Sequence, residues 1–76
     1  MKGKIVGVNP YTKKDTGAKR ANVWVIDDKV EPIFGFAVRK LNCDAKLLPD
    51  EPQKMVNQVY YIDTDGGFAN EFTKLS

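Results

Sequence analysis

One short stretch holds most of the chemistry this chain offers. In "YTKKDTGAKRANVW", Tyr11, Lys13, Lys14, Lys19, Arg20, Asn22 and Trp24 bring together two rings, four cations and an amide. Cations attract phosphate or carboxylate groups. Flat rings give an exposed base a face to stack on, at about 1–3 kcal/mol per base. Such a set is suited to holding a polyanion. Arg39, further along, is a candidate to extend the same surface or to pair with an acid.

Residues for catalysis are sparse. There is no histidine, so the usual general base and the commonest transition-metal ligand are both missing. Ser76 is the only serine, and Cys43, the only cysteine, has no histidine to activate it and reads as a small buried filler. "DTDGG" at 63–67 resembles the start of a calcium loop, but it lacks the later acidic ligand and reads better as a hairpin turn. Asp27, Asp28 and Glu31 form the one other acidic group, with no second cluster to complete a cation site. The expectation is a non-enzymatic protein with no catalytic residues, no cofactor and no metal site.

The elements that must position the candidate residues are strands. "KIVGV", "ANVWVID", parts of "PIFGFAVRKL" and "QVYYID" are rich in β-branched and aromatic residues. The spacing predicts five strands at 3–11, 19–28, 32–41, 56–63 and 68–75. Pro49 and Pro52 limit the connection at 42–55 to one or two short helical turns. Gly7 and Gly35 mark positions where a strand bulges or bends. The fold class is all-β: one domain over 1–76, a small five-stranded antiparallel OB-like barrel with a long first hairpin.

With the first turn at Asp15-Thr16-Gly17-Ala18, Lys14 faces Lys19, Lys13 faces Arg20, Tyr11 faces Asn22 and Asn9 faces Trp24. Alternation then gathers Val6, Val8, Val23 and Val25 on a core face, and Asn9, Tyr11, Lys13, Arg20, Asn22 and Trp24 on the other. Like charges directly opposite destabilise a sheet, and a bound anion would neutralise them. Structural readings stand beside the functional one. Trp24 is also suited to burial under a loop or in a dimer interface, Tyr11 to capping the barrel end, and Lys2 and Lys4 to protecting an edge strand. Of Tyr60 and Tyr61, alternation puts one in the core and one outside.

Net charge is only +2, but residues 1–20 carry six cations against Asp15, net +5, while the remainder is net −3. Basic charge is thus concentrated on the first hairpin, as a partner-facing patch would be. A lone cysteine in so small a chain fits a reducing cytoplasm, and no stretch approaches the ~20 apolar residues of a membrane span. The segment "TKKDTGAKRANVWVIDD", set in this layout, resembles the gene V type single-stranded DNA-binding proteins of filamentous phages. That resemblance implies an OB-like homodimer coating single-stranded DNA during replication in a phage or mobile element. It implies Lys14, Lys19 and Arg20 on phosphates, with Tyr11 and Trp24 as stacking rings. The partner expected is single-stranded DNA or RNA. The competing expectation is an SH3-like protein-interaction module or phage-encoded inhibitor whose aromatic face takes a peptide.

Overall fold

The computed structural model describes residues 1–27 and 34–75. Five strands are present among the described residues: β1 (Lys2–Thr12), β2 (Lys19–Asp27), β3 (Val38–Asp44), β4 (Val59–Asp65) and β5 (Phe68–Lys74). They close into a barrel in the order β1-β2-β3-β5-β4. Four pairings are antiparallel, and the closing contact between β3 and β5 is a parallel bridge at Asn42 and Phe68. This is the all-β, OB-like barrel expected from the strand pattern, with one parallel seam that a purely antiparallel reading lacks. A 3-10 turn (Ala45–Leu47) and the four-residue helix α1 (Pro52–Met55) fill the β3–β4 connection. Pro52 suits the first turn of α1, and Asn57 takes a left-handed φ of 70° just past its end. No helix among the described residues is long and apolar enough to cross a membrane.

The interior is lined by Ile5, Ala21, Val23, Val25, Leu41, Cys43, Met55, Tyr60, Ile62, Ala69 and Phe72. Tyr60 meets Phe72 edge-on at a centroid distance of 6.1 Å, while Tyr61 is exposed, so the two tyrosines divide as alternation requires. Lys2 and Lys4 are exposed but do not guard an edge. At Gly3, β1 is paired on both sides, with Asp27 of β2 and Tyr60 of β4. Those neighbours press so close that a Cβ at Gly3 would stand 2.7 Å from the Ile26 carbonyl oxygen.

The core face of β1 differs from the expected one. A register shift lies between Ile5 and Gly7, next to the glycine singled out as a bulge position. The extra residue, Val6, is pushed outward and is exposed, while Ile5 takes the core position opposite Val25. The third strand also starts later than the pattern suggested. Gly35 (φ 84°) lies in a bend before it, and Phe36 and Val38 are exposed instead of packed. Leu41 and Cys43 supply the inward side chains of β3, and the ladder with β2 runs on to Asp44. The expected strand ends at 28 and 32, and the Asp28 and Glu31 part of the acidic group, lie outside the described residues.

Candidate functional site

The first hairpin has a loop of the expected length, centred one residue earlier. Lys13 N–H donates to the Ala18 carbonyl (2.9 Å) and Gly17 N–H to the Lys13 carbonyl (2.8 Å). The turn is therefore Lys14-Asp15-Thr16-Gly17, with Gly17 supplying the positive φ of 71° at its last position. The register moves by two: Tyr11 faces Arg20, Thr12 faces Lys19, Asn9 faces Asn22 and Gly7 faces Trp24. The like-charge pairs Lys14–Lys19 and Lys13–Arg20 are thus absent, and no stored repulsion needs relieving. A shift of two leaves the side chains between the bulge and the turn on their original faces. Asn9, Tyr11, Arg20, Asn22 and Trp24 still share the outer surface, and Lys13, Lys14 and Lys19 are exposed around the hairpin tip.

Three of these side chains converge on one that sequence reasoning missed. Asn42 lies opposite Asn22 in the β2–β3 ladder. Its Oδ1 accepts from Arg20 Nε (3.0 Å) and Nη2 (2.5 Å), and its Nδ2 donates to Tyr11 Oη (2.8 Å) and Asn22 Oδ1 (2.9 Å). Arg20 therefore bonds to the amide and not to Asp44, its register partner, whose carboxylate accepts from Lys46 N–H (2.9 Å). Pro10, Tyr11, Thr12, Lys19, Arg20 and Ala45 surround an open depression of about 190 Å³ at the root of the hairpin. Further along, the half-buried Trp24 lies against Gly7, where a Cβ would begin 3.4 Å from the indole Cε3. Exposed Lys40 is its partner across the ladder.

Arg39 does not join this surface. It pairs with Val25, on the parity of the inward side chains, and its Nη2 donates to the Gly66 carbonyl (2.5 Å) in the β4–β5 turn. The apolar pair Phe36 and Val38 suggested the wrong phase for β3; Leu41 and Cys43 set it. The same turn brings Phe68 to the candidate surface. Gly67 accepts from Asn42 N–H (2.8 Å), and Phe68, opposite Asn42 across the parallel bridge, is 55 % exposed. A Gly-Gly turn followed by an aromatic was visible in the sequence, but its position beside β3 follows only from barrel closure. "DTDGG" is the end of β4 running into this turn, with Asp65 facing Phe68.

The outer β2–β3 surface thus has a polar end with cations, a ring at Trp24, and a further ring beside Asn42. It can take an anion at one end and flat apolar groups along its length. The chain matches no family model, no curated protein and no solved structure.

Proposed function

We propose that the chain is a non-enzymatic, largely sequence-independent single-stranded nucleic-acid-binding protein. It would hold phosphates with Lys13, Lys14, Lys19 and Arg20 and stack bases on Trp24 and Phe68. The observation that carries this reading is the coincidence of rings, cations and amides on the outer β2–β3 face of an OB-like barrel. That face, flanked by the β1–β2 and β4–β5 loops, is where OB-folds take oligonucleotides. Replication of a phage or mobile element is the setting that the gene V resemblance suggests. Titration with an oligothymidylate tests the reading directly. Trp24 fluorescence should quench, affinity should fall steeply with salt, and duplex of the same length should bind more weakly. Absence of binding at low salt, or equal binding to duplex, refutes it.

One observation favours the second reading, a protein-interaction module. Phe34, Phe36 and Val38 are all exposed where the chain enters β3, away from the polar end of the site. Sedimentation equilibrium of the wild type and of Phe36→Asp separates the outcomes. A dimer that Phe36→Asp dissociates supports the homodimer expected alongside nucleic-acid binding. A monomer that fails the oligothymidylate titration supports the interaction module.

A further inference from the structure

The hydrogen bonds around Asn42 have a direction that follows from one fact: arginine donates and cannot accept. Arg20 reaches the Asn42 side chain through Nε and Nη2, so the atom it meets must be the carbonyl oxygen. The amide nitrogen must then face Tyr11 and Asn22, and it only donates. Tyr11 Oη accepts that bond, which leaves its own proton to point elsewhere. Asn22 accepts through Oδ1, which turns its NH₂ group away from Asn42. Three half-exposed groups at this corner are thereby set to offer hydrogen to an incoming ligand: the Tyr11 hydroxyl, the Asn22 NH₂ and the unused Arg20 N–H groups, while the Asp44 carboxylate opposite Arg20 is engaged by Lys46 N–H. Lys19, on the neighbouring depression, adds a further cation.

We infer that Tyr11, Arg20 and Asn22 form a donor-rich subsite, oriented by Asn42, that takes the anionic oxygens of a backbone phosphodiester. This inference rests on the reading of the face as a nucleic-acid surface, and it reassigns Tyr11 from stacking ring to phosphate donor. Asn42 acts as a positioning residue: its amide fixes which atoms its neighbours turn outward. A base carbonyl is the other acceptor this corner would suit, and the test separates the two sources.

The test measures anisotropy of end-labelled strands with wild type, Tyr11→Phe and Asn22→Leu. The strands are an oligothymidylate, an abasic deoxyribose-phosphate strand of the same length, and a methylphosphonate oligothymidylate. Losing a hydrogen bond to a charged acceptor should weaken oligothymidylate binding about tenfold in each variant. The same factor should appear on the abasic strand and vanish on the uncharged methylphosphonate strand. A loss confined to strands that carry bases assigns the donors to base carbonyls and overturns the inference, as does unchanged binding by Tyr11→Phe. Wild type that binds oligothymidylate while Tyr11→Phe matches it sinks only the subsite. Wild type that binds no strand sinks the proposed function, and the subsite with it. Tyr11→Phe keeps the ring, and its thermal melt checks that the fold is intact.

Discussion

Replacing the two adjacent cations of β2 separates charge from architecture, because the structure gives Lys19 and Arg20 different attachments. Four phosphate contacts by Lys13, Lys14, Lys19 and Arg20, at about 0.7 per single-strand contact, predict a log–log salt slope near −2.8. Affinity for an oligothymidylate should then fall roughly 50-fold between about 50 and 200 mM salt. Lys19→Ala should reduce the slope to about −2.1 and the fall to roughly 20-fold, with stability unchanged because Lys19 is exposed. Arg20→Ala should flatten the slope equally but also strip two hydrogen bonds from Asn42 Oδ1. Asn42 is half-exposed, so water recovers part of the loss. A net cost of about 1 kcal/mol, or roughly 4–8 °C in Tm for a domain this size, remains. Arg20→Lys keeps the charge and loses the fork, so it should retain most of the slope and still melt lower. The assay is Trp24 quenching across a salt series, with a thermal melt of each variant. Equal melting of Arg20→Ala and wild type would show that the Asn42 network contributes nothing to the fold. An unchanged slope in both alanine variants would remove the hairpin from the phosphate path.

Three further outcomes are expected. Phe68→Ala should weaken oligothymidylate binding by about 1–3 kcal/mol, the value of one stacked base, while leaving Tm unchanged because the ring is more than half exposed. Retained affinity would exclude Phe68 from the site. Gly3→Ala should destabilise by about 1–3 kcal/mol in a urea titration, since its Cβ would stand 2.7 Å from a backbone carbonyl where β1 is held on both sides. Stability should also fall at alkaline pH. Burial pushes the Cys43 thiol above its ordinary 9.0 and, with a smaller effect from Asp50, the Tyr60 phenol above 10.0. The native state keeps protons that the unfolded chain releases, so this stability is intact below about pH 9 and is lost as pH rises through the two folded values. Urea midpoints at successive pH values check it, and Cys43→Ala should remove the first part of the decline.

Much of the candidate site was legible because side-chain alternation survives an even error in register. The turn lies one residue earlier than the pattern implies and the pairing differs by two, yet Tyr11, Arg20, Asn22 and Trp24 share one face in either register. The odd error was the bulge. One extra residue at Val6 reverses inside and outside along that part of β1, so Ile5 and not Val6 reached the core. Gly7 hinted at the place, but no local feature says which neighbour is extruded. β3 was harder, because Phe36 and Val38 imply one phase and Leu41 and Cys43 the other. The conflict is resolved by which pair finds a core to enter.

The chain's own pattern was therefore enough for the number of strands, the presence of the hairpins, the concentration of cations on the first hairpin, and the face shared by its rings and Arg20. These depend on residue types and a period of two, both local properties. The placement of Arg39 at the β4–β5 turn, of Phe68 beside Asn42, and of Asn42 between Tyr11, Arg20 and Asn22 came from elsewhere. Each joins strands distant in sequence, across a ladder or a barrel seam whose alignment depends on closing the whole sheet around one core. Such alignment is a property of all five strands together, and no window of the sequence contains it.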